Sequence, residues 1–136
     1  AYAFFIFDID NFKQANDRFG HAFGDVCIRT FTGILKRHFR GKGLLGRIGG
    51  DEFAAFIPIP DREWAEATAK NLSAALCVEC ADGTARWRMS ASIGVALAPQ
   101  CGTDFAGLYQ SADAALYQTK KRGKNGFTMN DGHGGV

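Results

Sequence analysis

Apolar positions run without a break from Tyr2 to Phe7 and are rich in aromatic rings, the pattern of a central strand buried on both faces. The run stops at Asp8. From Asp25 to Arg40 the apolar or weakly polar residues Cys27, Phe31, Ile34, Leu35, His38 and Phe39 recur at helical spacing, with Arg29, Lys36, Arg37 and Arg40 mostly elsewhere; this predicts an amphipathic helix. Leu44 to Ile48 and Glu52 to Ile59 are apolar stretches joined through Gly49-Gly50, a dipeptide that tolerates the positive φ of a tight hairpin, so they are expected to pair antiparallel. Pro58 and Pro60 close the second stretch. Asp61 then stands where an N-cap opens a helix carrying Trp64, Thr68, Leu72 and Leu76, and Asp82-Gly83 reads as a turn.

Arg86 to Leu97 contains an alternating stretch in which Trp87, Met89, Ala91 and Ile93 share one face, interrupted by Gly94. A last helix is expected from about Asp104 to Arg122, with Phe105, Leu108, Ala112, Ala115 and Leu116 as its stripe and Gly123 as its end. Phe127 to Met129 reads as an edge strand. The order predicts an α+β fold: a central, mostly antiparallel sheet flanked by helices over one or both faces. Residues 1–130 are expected to form one domain, with residues 131–136 as a mobile, glycine-rich tail. Because a domain seldom begins within a core strand, an N-terminal segment of a longer polypeptide is expected to precede Ala1.

A length of 136 residues suits one domain. The formal net charge of +2 provides no global basic field for nucleic acid or membrane surfaces, so any anion site must be local. No apolar run approaches the roughly 20 residues that cross a bilayer, and no direct membrane insertion is expected. The four cysteines at 27, 77, 80 and 101 read as free thiols, because Cys27 shares the helical face of Phe31 and Cys77-Val-Glu-Cys80 lacks a second pair for a zinc site.

Chemistry gathers at two acidic pairs. A wholly apolar strand that ends in Asp8-Ile9-Asp10 places carboxylates at the margin of the core, where desolvation calls for a cation. Asp51 and Glu52 follow two glycines that let a ligand approach the backbone. If the first strand neighbours the hairpin, the acids converge. Mg2+ prefers such hard oxygens and typically uses only one or two carboxylates, with substrate phosphates and water completing its shell. Each acid alone is equally a turn residue or a solvated surface charge.

Gly49-Gly50-Asp51-Glu52-Phe53 matches the motif for which the GGDEF family of diguanylate cyclases is named. Upstream, Phe7-Asp8-Ile9-Asp10-Asn11-Phe12-Lys13 continues through Asn16-Asp17, Gly20-His21 and Gly24-Asp25, and resembles a second family motif. Downstream, Ser92-Ile93-Gly94-Val95, Ala112-Asp113, Ala115-Leu116-Tyr117, Lys120 and Gly123-Lys124-Asn125 form a third. The resemblance covers nearly the whole chain. It implies a fold like the polymerase palm and the class III nucleotide cyclases, with a ferredoxin-like core. The implied activity is condensation of two GTP into cyclic di-GMP, dependent on Mg2+, with Mn2+ as an alternative ion.

By the same resemblance Asp8 and Asp51 bind the metal with help from the Ile9 carbonyl, Glu52 adds negative charge there, and Asp51 is the candidate to deprotonate the ribose 3′-hydroxyl. Asn16 and Asp25 correspond to guanine-reading positions; Asp25 is alternatively an N-cap of the following helix. Asn11, Phe12, Lys13, Lys120 and Lys124 map to phosphate contacts, Lys124 standing where the family more often has arginine. Lys120-Lys121-Arg122 is otherwise a solvated helix end. His21, His38 and His133 receive no chemical role. An inhibitory product site of the form R-x-x-D is reduced to Arg40-Gly41-Lys42-Gly43, which implies weakened product inhibition. Turnover requires a homodimer, an upstream sensory or regulatory domain is expected in the parent protein, and the place of GTP puts the domain in the cytoplasm. Two further readings are a regulatory domain that binds GTP without turnover, and an RNA-binding ferredoxin-like domain using Phe4, Phe5 and Phe7, disfavoured because those rings suit a core.

Overall fold

The computed structural model describes residues 1–132. Its elements are β1 (Tyr2–Ile9), α1 (Phe12–Phe19), α2 (His21–Phe39), β2 (Leu44–Gly49), β3 (Glu52–Pro58), α3 (Arg62–Ala75), β4 (Val78–Asp82), β5 (Ala85–Met89), β6 (Ala91–Ala98), α4 (Phe105–Lys121) and β7 (Gly126–Asn130). A five-stranded sheet has the order β2-β3-β1-β6-β7, and β4 pairs with β5 in a separate hairpin. Within the large sheet β1 runs antiparallel to both β3 and β6, β2 antiparallel to β3, and β7 parallel to β6. This is the expected α+β sheet flanked by helices, with β7 at its edge.

The apolar run of β1 is central because it serves two cores. Ala3, Phe5, Phe7 and Ile9 pack with Phe31, Leu35 and Phe39 of α2 and with Ala65, Ala69 and Leu72 of α3. Phe4 and Ile6 point to the other face, where Leu108, Ala112 and Leu116 of α4 cover them. Phe4, Phe5 and Phe7 are therefore core residues. Asp61 caps α3 by accepting from the Trp64 amide at 2.8 Å, and Asp104 caps α4 by accepting from Gly107 at 2.9 Å.

Several local expectations are corrected. The polar segment before Asp25 forms α1, and α2 begins at His21, so Asp25 lies inside α2 and is no N-cap. His38 is exposed, off the apolar face. Phe105 is 65% exposed, outside the buried stripe of α4. The stretch around Arg86 to Leu97 is two strands in two sheets, broken at Ser90, although Trp87, Met89, Ala91 and Ile93 do face one core. Gly94 interrupts nothing. It lies in the middle of β6, where a Cβ would overlap the Ala112 carbonyl oxygen, so its missing side chain lets α4 sit on the sheet.

The four cysteines are free thiols, with Cys27 and Cys80 buried. Among the described residues, no helix is long and apolar enough to cross a membrane. Residues 133–136 of the expected mobile tail, His133 among them, lie outside the described residues. Before them, Asp131 accepts from Arg62 Nε at 3.2 Å and the Gly132 amide donates to Asn130 Oδ1 at 3.1 Å.

Candidate active site

Strand pairing brings the acids together. Asp8 lies opposite Glu52 in the β1–β3 register, and the Ile9 amide donates to the Asp51 carbonyl at 3.1 Å, tying the hairpin turn to the end of β1. Asp8 continues the Phe4, Ile6 side of the strand, which faces α4, and Lys120 from the last turn of α4 forms an ion pair with Asp8 Oδ2. The other oxygen, Oδ1, is buried and has no hydrogen-bond partner among the described residues.

These surroundings set the charges. Burial is the main cause that raises the Asp8 carboxyl above its ordinary value; the hydrogen bond from Lys120 opposes it, and the neighbouring charge of Asp51 adds to it. For Lys120, burial alone would lower the ammonium, but the hydrogen bond and charge of Asp8, with Asp51 and Glu52 beyond, outweigh it and the net direction is up. Glu52 is held from the helix side: the Tyr109 hydroxyl donates to its Oε1 at 2.9 Å.

A divalent ion suits this donor set. An unpartnered buried carboxylate oxygen beside a second carboxylate is an incomplete electrostatic arrangement, and hard oxygens match Mg2+. Among the described residues no group of three His, Cys, Asp or Glu side chains forms a ready-made metal cage.

Gly49 and Gly50 do not have the positive φ expected of the hairpin, and a Cβ on either would meet nothing within 4 Å. Their lack of side chains leaves open surface beside Asp51. The turn is braced instead by Arg47, whose Nε donates to the carbonyls of Gly49 and Gly50 at 3.1 Å each.

Asp10, expected with Asp8 to need a cation, has other partners. It is 5% exposed. Ser92 Oγ donates to its Oδ1 at 2.6 Å, and Ser90 Oγ and the Asn125 amide donate to its Oδ2 at 2.7 and 3.0 Å. Beside it, Asn11 in the left-handed region opens α1 and accepts from Lys124 Nζ at 2.7 Å. Asn11, Phe12, Lys13 and Lys124 are thereby gathered at one end of the sheet. Asn16, on α1, has a buried Oδ1 with no hydrogen-bond partner among the described residues, packed where a Cβ on Gly24 of α2 would fall; Asp25 is exposed one residue further along α2. Arg40 caps the end of α2 in the left-handed region and donates from Nε to the Arg37 carbonyl at 3.3 Å. Gly43, at the position of the missing acid, has φ +69° and a Cβ there would overlap the Phe56 carbonyl oxygen.

Tyr109 and Arg47 had no sequence signal as site residues, because neither lies in a matched motif. Ser92 and Asn125 did lie in matched blocks, without a role that sequence spacing could assign.

A family model described as "Diguanylate cyclase, GGDEF domain" matches residues 1–126. The chain is 32% identical over 133 residues to the protein named "Probable diguanylate cyclase DgcT" of Escherichia coli strain K12, covering 96% of this chain and 29% of that protein. It is 33% identical over 122 residues to "Cyclic di-GMP phosphodiesterase PdeR" of the same organism, covering 90% of this chain and 18% of that protein. The chain thus spans less than a third of either relative. Among solved structures, the isolated GGDEF domain of TpbB (YfiN) from Pseudomonas aeruginosa superposes with a TM-score of 0.90 at 30% identity, over 96% of this chain and 77% of that one.

Proposed function

The chain belongs to the GGDEF family of diguanylate cyclase domains, and we propose that it is a working catalytic domain that condenses two GTP into cyclic di-GMP and two pyrophosphates. The observation that carries this reading is the unpartnered, buried Oδ1 of Asp8 at the end of β1, with Asp51 of the β2–β3 turn beside it.

Asp8 and Asp51 would hold Mg2+, with the Ile9 carbonyl and Glu52 as the further donors implied by the family. When bound, the ion supplies charge neutralisation on the phosphates and leaving pyrophosphate and favours the ionised ribose hydroxyl. Asp51 takes the proton of the 3′-hydroxyl; the 3′-oxygen bonds to the α-phosphorus of the facing nucleotide as the bond to its pyrophosphate breaks. A second transfer in the opposite sense closes the ring. Asn16 brings an amide to the polar edge of guanine and Asp25 an acceptor for its N1–H and N2–H; adenine lacks those donors and would leave the carboxylate unpaired. Lys13, Lys120 and Lys124, with the amides near Asn11 and Phe12, bind phosphate; with Mg2+ held at Asp8 and Asp51, the Lys120 ammonium that pairs with Asp8 would be free to do so.

One domain holds one GTP, so two domains must face each other across a two-fold axis. A homodimer driven by another domain of the parent protein, in the cytoplasm where GTP is available, is part of this proposal. Product inhibition is weak, since Arg40 has no acid at position 43 and the backbone there favours glycine. Strong inhibition by cyclic di-GMP that is lost in Arg40→Ala would refute that point.

A second reading, a regulatory domain that binds GTP without turnover, is favoured by the relative named as a phosphodiesterase. Mass spectrometry of products from GTP and Mg2+, with the chain fused to an enforced dimer, separates the two. The cyclase reading expects cyclic di-GMP from the unaltered chain and at least a thousandfold less, on the order of a lost catalytic group, from Asp51→Ala with an unchanged melting point. Tight GTP binding without product would establish the regulatory reading.

A further inference from the structure

The Asp10 carboxylate stands outside the roles assigned so far, yet it joins three segments. It is buried just past the end of β1, receives Ser90 from the break before β6 and Ser92 from the start of β6, and receives the Asn125 amide from the turn that follows α4. That turn is unusual. Lys124 and Asn125 are consecutive non-glycine residues in the left-handed region, with φ of 66° and 48°, a conformation that persists only where the surroundings over-determine it. A carboxylate is an acceptor without donors of its own, so it can organise three converging donors with none left facing its like.

The consequence is positional. Asn11 follows Asp10 directly and is itself left-handed, and Lys124 precedes Asn125 directly; their side chains meet at 2.7 Å. Asp10 thus sets both halves of that contact, one through its own backbone and one through the Asn125 amide. We infer that Asp10 is a positioning residue for polyphosphate binding: through Ser90, Ser92 and Asn125 it locks the left-handed turn that delivers Lys124 to the phosphate end of the site. This inference rests on the GTP-binding reading above.

Charge and position make opposite forecasts. On Coulomb grounds alone, removing a negative charge near a polyphosphate strengthens its binding. Release of the turn weakens it, because Lys124 is no longer held.

The test is calorimetric titration of a GTP analogue with a non-cleavable α–β bridge, in the presence of Mg2+. Asp10→Ala is expected to weaken binding about tenfold, the scale of a charge-assisted hydrogen-bond network, while Asp10→Asn, which keeps an acceptor for the Asn125 amide, recovers most of the loss. In a Lys124→Ala background the further effect of Asp10→Ala should fall below about twofold, as expected when one residue acts through the other. Ser90→Ala, which keeps the carboxylate, should weaken binding in the same direction and decides the matter if Asp10→Ala fails to fold. Unchanged or tighter binding in Asp10→Ala or Ser90→Ala, or full additivity with Lys124→Ala, overturns the inference alone. Failure of the unaltered chain to bind the analogue overturns it together with the GTP-binding reading.

Discussion

At Asp8 the fold tolerates a charge that it does not fully satisfy. Burial and the neighbouring Asp51 hold the carboxyl above its usual range, so the folded state retains the proton longer than the unfolded chain does. Stability therefore falls as pH rises from the ordinary carboxylate value through the raised one, and the penalty is fully present above it. Asp8→Asn should raise the melting point of the metal-free protein by about 3 °C, and millimolar Mg2+ should raise the melting point of the unaltered chain but not of the variant. A melting point that drops in the variant would show that the Lys120 ion pair outweighs burial. Tyr109 has the opposite meaning for stability. The hydrogen bond to Glu52, then burial, pushes the phenol up to about 12, so its stabilisation is complete below pH 10 and is lost as pH rises through about 12. Tyr109→Phe should cost about 1 kcal/mol below pH 10 and should flatten the alkaline limb of the stability curve, as read by denaturant unfolding at a series of pH values.

The contact between α4 and β6 is decided by a single small residue. Any side chain at Gly94 would enter the backbone of α4 at Ala112 and Leu116, so Gly94→Ala should cost about 3 kcal/mol by overpacking. Since α4 also carries Tyr109 and Lys120, its displacement should weaken the hold on Glu52 and Asp8 together; melting and Mg2+ titration of the variant should shift jointly. The elements with strong apolar periodicity were legible in the chain: β1, the β2–β3 hairpin, α3 with its Asp61 cap, and α4. Helix α1 was not, because it is only eight residues long and its stripe amounts to buried Ala15 with Phe12 and Phe19 partly buried against the core, too short a repeat to stand out from the motif it overlaps. The β4–β5 hairpin was missed for a related reason. Its second strand, β5, keeps Trp87 and Met89 on the same core face as Ala91 and Ile93 of β6 across Ser90, so local pattern alone cannot show that the chain changes sheets.

For the molecule as a whole, the proposed reaction needs two copies. At low concentration the rate per chain should rise in proportion to protein concentration and level off once a fused coiled coil enforces pairing, measured as cyclic di-GMP formed per chain; a rate per chain independent of concentration in a monomer, shown by light scattering, would refute the requirement for a partner.

Spacing and residue type were enough to determine the alternating order of the main elements, the acids at the ends of β1 and of the hairpin, and the family, because these depend on local periodicity and on short contiguous motifs. Which acid is left wanting a cation was decided only in three dimensions. Asp8 and Asp10 are two residues apart in an apparently equivalent setting, yet one keeps a bare buried oxygen and the other takes donors from Ser90, Ser92 and Asn125. The balance between desolvation and hydrogen bonding at a carboxylate depends on groups 80 to 115 positions away, and no local pattern carries that distance.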